Sequence, residues 1–154
     1  MASRLRGNKK PDLYKASEAG DLVSARAALA GGQSANSRGG DYDWTCLLVA
    51  VEKGHEEVVT ELLQQEDCDP SLEDSSKSTA LQWACGLGRV GMVRQLASHP
   101  RQCSLNSKNR YGETAIMAAV DEGEVDCVLA LGRLAGVELD IRDREGRSLE
   151  ERAR

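Results

Sequence analysis

Apolar residues in this chain arrive in paired short bursts separated by polar turns, and the pairs recur. From Thr45 the chain reads TCLLVAVEKGHEEVVTELL, from Thr79 TALQWACGLGRVGMVRQL and from Thr114 TAIMAAVDEGEVDCVLAL. In each stretch a Thr opens an apolar burst, a Gly follows the Thr by nine positions, and a second burst comes after that Gly. Within the second burst the apolar residues, such as Val58, Val59, Leu62 and Leu63, fall at the spacing of one helical face. Each unit is therefore predicted to hold two short amphipathic helices joined by a tight turn. A degenerate copy, PDLYKASEAGDLVSA, starts at Pro11, and a truncated one, SLEERA, starts at Ser148.

The interval is nearly constant. Ala16, Ala50, Ala84, Ala119 and Ala153 lie 34, 34, 35 and 34 residues apart, and Gly20, Gly54, Gly88 and Gly123 keep the same step. A period of this size predicts a stack in which no unit can bury its apolar face alone. The residue types fit that reading. A Thr side-chain oxygen can accept from an amide two or three residues on and so start a helix. The Ala is small where helices pass closely. The Gly takes the left-handed backbone that turns the chain back.

These residues resemble the ankyrin repeat over about 11 to 154, nearly the whole chain. The resemblance implies an all-α solenoid of stacked helix-turn-helix units with short β-hairpin fingers. Its units are repeats at about 11–39, 40–73, 74–108 and 109–142, with a partial one at 143–154, behind a disordered basic arm at 1–10. The family's TPLH reads TCLL, TALQ and TAIM here, so Pro and His are missing from all three. In the family that His ties neighbouring loops by hydrogen bonds, and its loss implies a less rigid array. The hairpin glycine survives as Gly112 and Gly146, while Asp43 and Lys77 stand at the equivalent places. Asp tolerates a left-handed backbone better than Lys does.

Composition narrows the core and the partners. Only five residues of 154 are aromatic and none is Phe, so the core is expected to be Leu, Val, Ala, Met and Cys. The net charge of −5 is uneven: the first ten residues carry four basic side chains, leaving 16 basic against 25 acidic beyond them, a net −9. An acidic body disfavours nucleic acid, which needs clustered Lys and Arg, and favours basic partners. No stretch reads as a secretory signal or a membrane span, and no glycosylation acceptor is present, which predicts a cytoplasmic or nuclear protein without a membrane partner, expected as a monomer. Cys46, Cys85 and Cys127 sit at packing positions, whereas Cys68 and Cys103 fall in inter-repeat loops and are expected to be exposed.

Candidate chemistry is sparse. His55 follows a turn Gly and is expected to brace it, and His99 precedes Pro100 at a helix end. The two histidines are too far apart in the repeat to form a metal site or a Cys/His pair, and no phosphate loop is present, so no cofactor and no catalysis are expected. A loop-thiol enzyme using Cys68 or Cys103 lacks a neighbouring base. In the resembling family partners bind the concave side. That surface would present Asp41, Tyr42, Trp44, Glu52 and Lys53, then Ser75, Ser76, Ser78 and Leu87, then Arg110, Tyr111, Glu113, Asp121 and Glu122.

This is an acidic groove with three aromatic rings, suited to a peptide or protein of basic surface in a scaffold, an adaptor or a stoichiometric enzyme inhibitor. The finger NSRGGDYDWT is one residue longer than usual in the family, which raises a second class, a nucleotide or small-ligand sensor stacking a base on Trp44. Trp44 could equally be a structural rib between fingers, Tyr42 and Tyr111 half-exposed finger residues, and the acidic groove a solvated face. Trp83 is expected to pack in the core. The polar fifth helix reads as a cap facing water, or as the opening of a unit that continues.

Overall fold

A computed structural model describes residues 12–101 and 105–154. The predicted basic arm, Pro11 and Cys103 lie outside the described residues. The elements alternate as the period requires: α1 (Leu13–Ala19) and α2 (Leu22–Ala30), the strands β1 (Arg38–Gly39) and β2 (Trp44–Thr45), then α3 (Cys46–Lys53) and α4 (Glu56–Leu63). They are followed by α5 (Ala80–Gly86) and α6 (Val90–Ser98), α7 (Ala115–Asp121) and α8 (Val125–Gly132), and the short α9 (Leu149–Arg152). The odd helices stack on one another as an inner layer, and α2, α4, α6 and α8 form the outer one.

Local chemistry starts each inner helix. Asp12 accepts from the amides of Tyr14 and Lys15, Thr45 from Leu48, and Thr79 from Gln82. Thr114 holds the equivalent place without that bond; its hydroxyl is fully buried with no partner among the described residues. The core follows the periodic positions: Leu48, Val51, Val59, Leu62, Leu81, Val93, Leu96, Met117 and Leu131 are each at most 1% exposed. Ala50, Ala84 and Ala119 are fully buried between the layers, where a larger side chain would push the helices apart. The turns behave as expected too, with Asp43 at φ 51° and Lys77 at 59° in the region where Gly112 and Gly146 stand at 76° and 77°.

The longer first finger has a structural cause. Gly39 pairs with Trp44, five residues on, whereas in the next finger the Asp74 amide donates to the Ser78 carbonyl, four residues on. The added residue lets Arg38 and Gly39 form a two-rung ladder with Thr45 and Trp44.

Three expectations need correction. Cys68 is 1% exposed rather than surface-bound. Its loop is clamped by Asn36, whose side chain donates to the Asp67 carbonyl at 2.6 Å and accepts from the Asp69 amide at 2.8 Å, and this turns the thiol into the core. The array is also not short of loop ties. Gln82, at the family's His position, donates to the carbonyls of Ser107 and Glu113, both at 2.9 Å, and Asn106 repeats the Asn36 clamp on Gly136 and Glu138. His55 Nε2 bonds to the Glu18 carbonyl and His99 Nε2 to the Leu63 carbonyl, each at 3.0 Å, so both histidines brace the preceding repeat.

The third correction concerns Arg152. On a helix expected to face water, its side chain is only 2% exposed. It reaches back to Glu113 at 2.6 Å, to both oxygens of Asp121, and to Asp143 at 2.5 Å. A long cation gathered by three carboxylates satisfies its donors inward, which the polarity of SLEERAR alone does not indicate.

Candidate functional site

The concave surface is built by residues at fixed offsets from the helix caps Thr45, Thr79, Thr114 and Ser148. The residue immediately before each cap is Trp44, Ser78, Glu113 or Arg147, and the fourth residue after each cap is Val49, Trp83, Ala118 or Arg152. In two steps the fourth residue of one repeat meets the pre-cap residue of the repeat before it. Trp83 packs against Trp44 with ring centroids 5.1 Å apart and planes tilted by 56°, and Arg152 binds Glu113. An acidic residue five places before the cap secures both: Asp74 accepts from the Trp83 indole at 2.8 Å, and Asp143 from Arg152.

Trp83 is thus half-buried: it packs against the core, as expected, and also meets Trp44 on the inner face. On its open side Trp44 fills the space beside it. Tyr42 continues the row, its ring centroid 6.0 Å from that of Trp44, and is 73% exposed. The indoles of Trp44 and Trp83 hold each other while the row keeps one edge in water.

Between α5 and α7 lies a recess of about 390 Å³. Trp83, Gly86 and Leu87 line it from α5 and Ala118, Asp121 and Glu122 from α7, with Ser78, Gln82, Asn109 and Glu113 completing it. Five of the residues expected from the sequence, Ser78, Leu87, Glu113, Asp121 and Glu122, therefore come together. Ser78 is 9% exposed and close to the Asn109 side chain, so it supplies floor rather than a projecting contact. Leu87 is 40% exposed on the rim.

The other expected residues are spread along the groove. Asp41 is exposed on the first finger, and Glu52 pairs with Lys53 at 3.1 Å near the groove's start. Ser75 and Ser76 spend their carbonyls on the next finger, accepting from the Arg110 side chain at 2.6 Å and its amide at 2.8 Å. Arg110 is thus a tie between fingers as much as a surface cation, while Tyr111 stands 59% exposed at the tip. Trp83, Arg152, Gln82 and Asn109 were not among the expected surface residues. For Trp83 and Arg152 the signal was their shared offset from the cap, for Gln82 the family's His position, and for Asn109 the place five before the cap that Asp74 and Asp143 also occupy.

The electrostatic character is less uniformly acidic than the sequence suggested. Arg152 shares Glu113, Asp121 and Asp143, and its own guanidinium is held protonated more strongly than usual, first by the Asp121 bonds against the opposing effect of burial. At Asp143 burial pushes the carboxyl up, but the amide and side chain of Arg147 and the amide of Glu145 outweigh it and hold the group at about 2. Glu122 has no ion-pair partner among the described residues, and its charge faces the recess uncompensated.

The thiols offer little reactivity. Burial pushes Cys46 up to about 12 and Cys68 up to about 11, and raises Cys127 as well. Among the described residues no His, Cys, Asp or Glu side chains gather as metal ligands would, and no helix is long and apolar enough to cross a membrane.

A family model described as ankyrin repeats, in three copies, matches residues 47–143. The chain is 35% identical over 89 residues to ankyrin repeat domain-containing protein 63 of Mus musculus, and to the same extent to its Homo sapiens counterpart. Each alignment takes in 56% of this chain and 23% of the relative, so the matched part is under a quarter of those proteins' length.

Proposed function

Since the chain belongs to the ankyrin repeat family, whose stacked units are general protein–protein interaction modules, we propose that it is a non-catalytic binding module for a peptide or protein segment of basic character. The segment lies along the inner face, from the aromatic row at Tyr42 and Trp44 to the recess rimmed by Glu122. The observation that carries this reading is the continuity of that surface: a half-exposed row of three rings runs into a recess with an uncompensated carboxylate. Aromatic anchors bounded by charge are what concentrates affinity in an interface. The module works as a monomer without a cofactor, in the cytoplasm or nucleus, as scaffold, adaptor or inhibitor. Its acidic body and the buried, weakly acidic thiols support the partner class and the compartment.

Selection of a phage-displayed peptide library tests the reading. Peptides held by the wild type are expected to be enriched in Arg and Lys, and to lose roughly tenfold or more in affinity on Tyr42→Ala or Trp44→Ala, each variant first shown to unfold at a temperature near that of the parent. Equal binding by parent and variants would remove the assigned surface. Selection of nucleotides over peptides in a parallel tryptophan-fluorescence panel would favour the ligand-sensor class instead.

A further inference from the structure

Among the described residues, the register that organises the groove leaves one step unfilled. Between the second and third repeats, the pre-cap and fourth-position residues are Trp44 and Trp83, whose rings fill the space between them. Between the fourth and fifth they are Glu113 and Arg152, joined by an ion pair. Between the third and fourth they are Ser78 and Ala118, both too small to meet, and the recess of about 390 Å³ opens there. Its sides differ. Trp83 on α5 gives an indole whose N–H is already held by Asp74, so its apolar surface remains for contact. On α7, Asp121 and Glu122 bring carboxylates, and Glu122 is without a counter-ion among the described residues.

We infer that this recess receives one arginine side chain from the bound segment, between the Trp83 indole and the α7 carboxylates. The inference rests on the concave-face reading above and names the chemistry of one subsite within it. A guanidinium suits the site because it is planar and delocalised: it lies against the Trp83 indole while its fork of N–H donors reaches Glu122 and the outer lone pairs of Asp121. An ammonium, a compact and more strongly hydrated charge, uses the carboxylates but gains less from the indole. In the neighbouring slot Arg152, at the position of Ala118, is 2% exposed and bonded to Glu113, Asp121 and Asp143; the equivalents of those three here are Ser78, Gly86 and Asn109, so in the open slot the negative charge comes instead from Glu122 and Asp121 on α7.

The test is an NMR titration of the full chain, following the Trp83 indole N–H, assigned through Trp83→Phe, with N-acetyl-arginine methylamide at constant ionic strength. The isosteric but neutral N-acetyl-citrulline methylamide and the lysine analogue serve as comparators. The arginine compound is expected to move the Trp83 signal in a saturable way, the lysine compound more weakly, and the citrulline compound not at all. Glu122→Gln, a surface change that leaves the fold alone, is expected to weaken the response roughly fivefold. Ala118→Arg fills the slot from within and is expected to abolish it. Equal responses to arginine and citrulline, no response to arginine, or an undiminished response in Glu122→Gln each overturns the inference. The two readings fail separately. Selected basic peptides that shift Tyr42 and Trp44 while arginine leaves Trp83 unmoved would sink the slot and keep the groove. A Trp83 response to arginine in a chain that retains no peptide would do the reverse.

Discussion

Gln82 in α5 donates from its side-chain amide to the main-chain carbonyl of Glu113, 2.9 Å away and one repeat further along. The same amide reaches the Ser107 carbonyl, and the side-chain oxygen accepts from the Thr79 amide at 2.8 Å, so one residue caps its own helix and pins the following finger. Gln82→Leu would leave these groups unpaired in a largely buried place, at a cost of about 2 kcal/mol. Gln82→His, which restores the residue the family usually has there, is expected to recover most of the loss. Thermal unfolding followed by circular dichroism separates the three proteins; an unshifted midpoint for the Leu variant would refute the assignment.

Gly54 and Gly123 share a left-handed backbone, φ 83° and 72°, but differ in their surroundings. A Cβ at Gly54 would sit 2.6 Å from Arg89 Nη1, whereas at Gly123 nothing lies within 4 Å. Ala at either site costs about 1 kcal/mol in backbone strain. At Gly54 it also displaces the Arg89 side chain and its 3.3 Å bond to the Glu52 carbonyl, adding about 1 kcal/mol. Denaturant unfolding should show Gly54→Ala as the more damaging variant, and an Arg89→Ala background should bring the two effects together.

Asp143 supplies the acid sensitivity of the last repeat. Its carboxyl is held at about 2, below the ordinary carboxylate value, so the folded state prefers it ionised. Its stabilising contribution is whole above the ordinary value and is lost as the pH falls toward about 2. The unfolding-temperature gap between wild type and Asp143→Asn is accordingly expected to be constant from neutral pH down to about 5 and to close between about 4 and 2. A gap that persists at the acid end would contradict the bonding scheme around Arg147 and Arg152.

Cys46 and Cys68 are 0% and 1% exposed, with burial holding their thiols at about 12 and about 11. Alkylation by iodoacetamide at pH 8 is expected to be slow at both until the chain is unfolded, because the thiolate fraction is small and access is blocked. Peptide mapping after timed quenching reads each site separately. Rapid modification of Cys68 in the folded protein would show that the Asn36 clamp does not hold its loop closed.

The chain's own pattern settled everything that recurs. The period, the Thr caps at Thr45 and Thr79, the turn glycines and the left-handed Asp43 and Lys77 were all legible, because backbone conformation there depends on residues a few positions away. Which side chain meets which was decided only in three dimensions. Trp83 meets Trp44, Arg152 meets Glu113, Gln82 stands in for the family His, and Cys68 turns inward, each through partners on another repeat or loop. A regular spacing tells where a residue stands in its unit, but not whether its neighbour a repeat away is large, small or charged enough to close the gap. That mutual size and charge filled two steps of the groove and left the one between Ser78 and Ala118 open.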